Sequence, residues 1–256
     1  MKKLIWFSFA ILFLTSLSLF TKSDTSIDSL FYKANEYYAR GEFQNAIELY
    51  QKILSEGFRS KELLFNLGNC YYRLGEYHKS ILYYERAKIL DPFDEDINFN
   101  LQMANLHTVD KIQEIPKFFL KQWWEDLRDS LASNQWAIFS VITIWIAFSL
   151  FSIFLLVYNS KVRKIAFFSG IVFIFLFLMS TSLGYSRYKY ETNHNWAIVF
   201  NINAYIKSSP EESSTDLFIL HQGTKVEIMD EIGNWYKIRL PNGHIGWIKK
   251  TDLERI

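Results

Sequence analysis

The sequence predicts a multidomain membrane protein: an all-α repeat solenoid, two transmembrane helices, and a C-terminal all-β barrel. Three observations carry this. Two long runs, Trp136–Tyr158 and Ile165–Ser186, contain no charged residue. A self-similar pattern precedes them, with a period of 34 residues: Gly41-Glu42-Phe43 recurs as Gly75-Glu76-Tyr77. After Trp196, short alternating apolar runs bounded by turn residues replace the helical pattern.

The first 22 residues read as an export signal. Lys2 and Lys3 form a basic start and Leu4–Phe20 an apolar stretch, the pattern of a signal peptide or an uncleaved signal anchor. Ser16-Leu17-Ser18 offers small residues at the spacing of a cleavage site.

Residues 27–110 carry the repeats, as units 27–60 and 61–94 followed by a capping helix over about Glu95–Thr108. Tyr37 matches Tyr71, Ala46 matches Ser80, and Tyr50 matches Tyr84 at the same period. Apolar residues recurring at three and four positions give each helix one apolar stripe. Small residues (Ala34, Gly68, Ala46) allow close helix approach, and Gly41 and Gly75 suit a left-handed turn that ends the first helix of each pair. This pattern resembles the tetratricopeptide repeat. The second unit fits it best, with Leu67, Gly68, Tyr71, Gly75, Tyr77, Ala87 and Pro92 at consensus positions. The resemblance implies that the first helix of each unit lines a groove for extended peptides. Its candidate contacts are Phe31, Asn35, Tyr38, Phe65, Asn66, Asn69, Tyr72 and Arg73, although Asn66 and Asn69 are also ordinary framework residues of the repeat. Repeats that grip chaperone C-terminal carboxylates carry lysine or arginine where Phe31, Asp96 and Asn100 stand here, so that activity is not expected.

Ile115-Pro116 breaks the chain. Over 116–132, Phe119, Leu120, Trp123, Trp124, Leu127 and Leu131 form one helical stripe, expected to lie in a membrane interface or against the repeat cap. The first transmembrane helix is expected over 136–158, with Ser133 or Asn134 as its cap and Trp136 at its outer boundary. The second is expected over 165–186. At about 1.5 Å per residue each run crosses the roughly 30 Å hydrocarbon core. The short link 159–164 forces a hairpin, and its Lys161, Arg163 and Lys164 place it in the cytoplasm. Both soluble parts then lie on the periplasmic side of a bacterial inner membrane. The charge-free helices argue against a transporter. Ser169, Gly170, Ser180, Ser182 and Gly184 permit close helix packing.

Residues 197–256 predict strands and tight turns, with Pro241-Asn242-Gly243-His244 closing a hairpin. Leu220–Val226, Trp235–Ile238 and Gly243–Ile248 resemble the signature of the bacterial SH3 domain. Gly246 is expected to let a strand cross closely under Trp247. The resemblance implies an aromatic binding face for protein or cell-wall peptide, with Tyr205, Trp235, Tyr236 and Trp247 as candidates.

No catalytic, cofactor or metal site is expected. A net charge of +1 gives no basic excess for nucleic acid. The single cysteine, Cys70, excludes an intramolecular disulfide and falls at a packing position inside a repeat helix. A wall-cutting cysteine peptidase needs a Cys at a helix start beside two His, whereas His194, His221 and His244 lie in another domain. The order of segments resembles the aerotolerance-operon BatE family. That resemblance implies a non-catalytic envelope scaffold, partners among Bat proteins with von Willebrand A domains and a MoxR-type ATPase, and a link to oxidative-stress tolerance. The alternatives are a cell-wall hydrolase or an activator of one, and direct redox sensing through Cys70.

Overall fold

The structure is a computed structural model, and it describes residues 25–112, 116, 118–192 and 195–256. The expected signal segment lies outside these residues, as do Ile115 and His194. The architecture runs from an N-terminal helical repeat region, through two long apolar helices, to a C-terminal antiparallel sheet. The chain divides into two compact units, residues 1–58 and 59–256.

The first unit is a helix pair, α1 (Thr25–Ala39) and α2 (Phe43–Ser55). Gly41 turns the chain between them at φ 79°, a conformation a side chain would strain. Ala34, Ala46, Ile47, Tyr50 and Ile53 are buried.

The second unit begins with α3 (Lys61–Arg73) and α4 (Tyr77–Leu90). Ser60 caps α3, its hydroxyl accepting from the Leu63 amide at 3.1 Å. Gly75 repeats the turn of Gly41 at φ 75°. Gly68 is required by packing: a Cβ there would stand 2.6 Å from the Tyr84 ring. Helix α5 (Glu95–Asn105) follows, started by the Asp94 carboxylate accepting from Ile97 N. Lys61 closes this corner on Asp91 (2.7 Å) and Asp94 (2.9 Å).

Helix α6 (Phe119–Asp129) leaves Phe119, Leu120, Trp123 and Trp124 exposed, so its aromatic stripe is not spent on the repeat cap. Helices α7 (Ser133–Leu156) and α8 (Ser160–Thr192) are long and apolar enough to cross a membrane. Their most apolar windows are only 11% and 17% buried, unlike core helices of a soluble domain. They pack antiparallel, with Phe154 against Phe167 at one end, Leu150 near Gly170, and Trp136 against Gly184 at the other. Gly170 and Ser180 are buried as their small size suggested, while Ser182 faces outward.

Two details differ from the sequence reading. Helix α8 already begins at Ser160, so Lys161, Arg163 and Lys164 sit on its first turns rather than in a loop; Asn159 makes this possible by accepting from the Lys161 amide. Neither Ser133 nor Asn134 caps α7: Ala132 is the cap residue, and the Ser133 hydroxyl is drawn to Glu191 instead. Trp136, in the first turn of α7, is buried, with its indole N–H donating to the Arg128 carbonyl at 3.0 Å.

The sheet comprises β1 (Trp196–Val199), β2 (Asn203–Lys207), β3 (Asp216–His221), β4 (Lys225–Ile232), β5 (Trp235–Arg239), β6 (Ile245–Lys249) and β7 (Leu253–Arg255). Its order is β3-β2-β6-β5-β4-β1-β7, with antiparallel pairing throughout. Alternate residues of each strand enclose one core that includes Ala197, Ile206, Val226, Ile238 and Ile248. The β5–β6 hairpin closes through Gly243 at φ 87°, whose amide donates to the Leu240 carbonyl at 2.9 Å. Gly246 faces Ile206 of β2 so closely that a Cβ would collide with the Ile206 side chain and press on the Lys207 carbonyl.

Candidate functional site

The groove candidates of the first unit lie on α1. Asn35 accepts from the Tyr50 hydroxyl at 2.5 Å, Phe31 leans on the Tyr50 ring at 5.8 Å, and Tyr38 meets Phe43 edge-on at 5.4 Å. The second unit repeats this bracket one period later. Asn69 on α3 accepts from the Tyr84 hydroxyl at 2.6 Å, and Phe65 leans on Tyr84 at 5.7 Å. Asn69 also accepts from the Asn100 amide at 3.1 Å, joining α3 to α5. Tyr72 is edge-on to Tyr77 and to His107, which stack on each other at 3.8 Å. In each pair the asparagine holds the second helix to the first. Asn66 is half-buried and Arg73 is exposed at the end of α3.

The structure separates the four aromatic candidates of the sheet. Tyr236 packs against the core, opposite Ile248. Trp235 and Trp247 alternate to the other face, where Trp235 pairs with Lys249 and Lys237 with Trp247. Tyr205 shares that face, two residues from Lys207, the partner of Trp247. Only Tyr205 is open, at 52% exposed, against 8% for Trp235 and 9% for Trp247. The connection before β3 is tied down beside them: Lys249 pairs with Glu212 at 2.6 Å, and Lys207 donates to the Glu212 and Ser214 carbonyls. Lys237 and Lys249 stand 6.0 and 5.9 Å from the Trp247 and Trp235 ring centroids.

Sequence reasoning missed how the second unit is joined together. The stripe His78–Ile81–Glu85–Ile89 of α4, spaced at three and four residues, carries the sheet. Gly223, at φ 91°, lies against Ile81 and the His78 backbone; the Cβ of any other residue would meet Thr108 at 2.9 Å. Phe200 meets the His78 ring edge-on at 4.9 Å. Lys225 reaches the buried Glu85 at 2.6 Å, and Arg86 donates to the Arg255 carbonyl and pairs with Glu254. Ile198 and Ile256 complete a shared apolar cluster with α4 and α5. Beyond α5, Asp110 accepts from the His221 amide (2.7 Å) and the Thr224 hydroxyl (2.6 Å), and contacts the His221 ring.

These contacts set two ionisation states. Burial pushes the Asp110 carboxyl up, but the hydrogen bonds from Thr224 and His221 outweigh it and hold it below the usual carboxylate range. Burial lowers His78, helped by neighbouring Lys79. Both favour the docked arrangement at neutral pH.

Arg187 is the second missed residue. It follows the apolar run of α8 directly and is fully buried. It pairs with Asp129 at 3.0 Å and Glu191 at 2.8 Å, and donates to the Ile89 carbonyl at the end of α4. Arg128 grips Asp129 through two bonds of 2.6 and 2.7 Å, and Ser133 donates to Glu191. A cation at a helix C-terminus is favourable, so one guanidinium ties α8 to α6 and α4, while its partner Glu191 reaches α7 through Ser133. A visible signal was present: a lone arginine against an apolar run with an acid four residues later.

Cys70 is buried in α3 and its thiol is pushed up to about 12 by burial, so it stays protonated at neutral pH. Among the described residues, no group of three or more His, Cys, Asp or Glu could hold a metal ion.

Two family descriptions match the chain: "Tetratricopeptide repeat" over residues 33–95 and "Bacterial SH3 domain" over residues 202–254. Together with the two apolar helices they account for the helical repeat region, a candidate anchor and the sheet. A search of curated proteins finds no match. Among solved structures, the Sgt2 tetratricopeptide domain from Aspergillus fumigatus is similar at 27% identity over 34% of this chain, with a TM-score of 0.31. An NlpC/P60 family protein from Bacillus cereus is similar at 26% identity over 25% of this chain, with a TM-score of 0.21. The chain spans 60% of the former and 21% of the latter. Tetratricopeptide and SH3 domains typically bind rather than catalyse, so the matched segments indicate protein or cell-wall binding near a membrane.

Proposed function

We propose that the chain is a non-catalytic, membrane-anchored scaffold of the bacterial envelope. Its repeat helices bind a protein partner through Phe31, Asn35, Tyr38, Phe65, Asn66, Asn69, Tyr72 and Arg73. Its SH3 domain binds a second protein or a cell-wall peptide through Tyr205 and, once the connection before β3 moves aside, Trp235 and Trp247. Tyr236 supports that face from the core side. One observation carries the reading: the sheet and apolar helix α8 are both fastened to the repeat region by polar contacts, the sheet at Glu85 and Asp110 and α8 through Arg187 to the Ile89 carbonyl. Such joints hold binding surfaces at a fixed distance from a membrane, which suits a scaffold.

The antiparallel packing of the two apolar helices supports a reading in which both soluble segments lie on one side of the membrane. Lys161, Arg163 and Lys164 at the opposite end favour the cytoplasm for that end, and hence the periplasm for the modules. By resemblance to the BatE family, the partners are Bat proteins bearing von Willebrand A domains and a MoxR-type ATPase system, in a complex linked to oxidative-stress tolerance.

Affinity capture of the full chain from native membranes, with and without the repeats, tests this reading. Recovery of a defined set of envelope proteins that depends on the repeats supports it. Recovery of the same proteins by both forms removes the repeats as the binding element. A C-terminal reporter active only outside the cytoplasm tests the orientation.

A further inference from the structure

Where α8 leaves its apolar run, a cavity of about 660 Å³ opens, lined by Arg128, Ser186, Lys189, Tyr190, Asn195 and Arg255 among others. Its size falls within the roughly 300–1,000 Å³ of small-ligand sites. No Asp or Glu side chain is among the described residues that line it. The wall offers hydroxyl and amide donors from Ser186, Tyr190 and Asn195 beside the cations. The positive groups are unequally committed. Arg128 holds Asp129 in two bonds and stacks on Tyr190 at 4.3 Å. Arg255 has a half-exposed contact with Glu231 at 3.3 Å and lies over the Tyr236 ring at 4.8 Å. Lys189 is the lining cation with no carboxylate partner among the described residues.

Position identifies the ligand. Ser186 ends the charge-free run, so Lys189 and Tyr190 stand roughly 5–6 Å farther along the helix, at about 1.5 Å per residue. The polar layer of a bilayer is about 5–8 Å deep on each side. The cavity therefore lies at headgroup depth if the hairpin spans the membrane. Exposed Tyr185 and Tyr188 on the same turns, and the exposed Trp123 and Trp124 of α6, are residue types that settle at that depth.

We propose that this cavity binds the phosphate of an anionic phospholipid headgroup, with Lys189 as the principal charge contact and Arg128 and Arg255 framing it. The proposal rests on the reading of α7 and α8 as a membrane hairpin. Lipid bound here contacts α6, α8 and the sheet together, beside the Arg187 joint, and so would fix the tilt of the soluble body on the membrane.

The full chain in discs of phosphatidylglycerol and phosphatidylcholine in equal parts provides the test. Retained lipid is read by native mass spectrometry after release into detergent. A background with Lys161, Arg163 and Lys164 all changed to Gln removes binding at the opposite end. In that background the protein should retain phosphatidylglycerol preferentially. Lys189→Glu should lower the preference at least about fivefold, the effect of one interfacial charge, and Lys189→Arg should keep it. Lys189 is exposed, so these variants leave the fold intact, checked by circular dichroism. Equal retention of the two lipids, or a preference unmoved by Lys189→Glu, overturns the proposal. Inorganic phosphate separates the sources: displacement of the lipid by millimolar phosphate would assign the site to the free ion and overturn the lipid assignment. Failure to enter discs at all would remove the hairpin reading itself, whereas entry without preference removes only this site.

Discussion

Replacing Arg187 by Ala should uncouple the apolar hairpin from the repeat. Arg187 is fully buried and ion-paired to Asp129 and Glu191, while its guanidinium also caps the end of α4 at Ile89. Removing one partner of a buried pair typically costs about 3–5 kcal/mol. Here the remaining acids keep other partners, since Arg128 still holds Asp129 and Ser133 still donates to Glu191. The lower end, about 3 kcal/mol, therefore applies. For a chain of this size that is a fall of roughly 6–12 °C in Tm. Lys at this position keeps the charge but lacks the planar fork, so Arg187→Lys should fall between the two. The assay is thermal unfolding of the full chain in lipid discs, with hydrogen exchange mapping where protection is lost. Exchange should quicken in the last turn of α4 and the last turn of α6 and stay unchanged in the β5–β6 hairpin. A Tm within a degree or two of the parent, or loss spread evenly over the sheet, would refute the joint.

Other outcomes follow from single contacts. Gly246→Ala forces a methyl group into Ile206 and toward the Lys207 carbonyl; denaturant unfolding of the full chain should show a loss of about 3 kcal/mol, the upper range for overpacking, and a neutral result would mean that β2 sits farther away. Acid should loosen the sheet from α4. His78 is held below its ordinary value of 6.5 and Asp110 below 3.8, so the loosened state binds more protons and the docking stability present above those values is lost as pH falls through the depressed ones. Hydrogen exchange at His221–Thr224 should quicken first below about pH 6.5 and more steeply near pH 4, the ordinary histidine and carboxylate values. His78→Gln should flatten the upper phase; equal protection from pH 7 to pH 4 would contradict this account. Cys70 should react with a thiol reagent only as fast as the protein opens, because its thiol is held up near 12, and Cys70→Ala should leave peroxide tolerance unchanged. A native-state rate matching that of a free thiol would show the packing to be wrong.

The repeats, apolar helices and strands were legible because each is a local periodicity. The 34-residue recurrence placed Gly41 and Gly75 at left-handed turns, and Gly243 and Gly246 fell where a hairpin and a close strand crossing need them. Helix ends were less legible. The first turns of α8 are basic but still helical, because Asn159 caps them. Ser133 is a good cap by type, yet its hydroxyl is taken by a carboxylate 58 residues away. Tyr236 could not be told from its neighbours as a face residue, because strand alternation fixes two faces without saying which one meets the core.

The sequence by itself determined the kinds of segment and their order, since hydrophobic period, length and glycine placement act over a few residues. Only the tertiary structure decided that the sheet rides on α4, that Asn35 and Asn69 bracket their own helix pairs, and that Arg187 is a joint rather than a membrane-flanking charge. Those outcomes depend on which buried donor meets which acceptor across 100 or so residues of chain, a pairing set by burial and geometry and invisible to any local pattern.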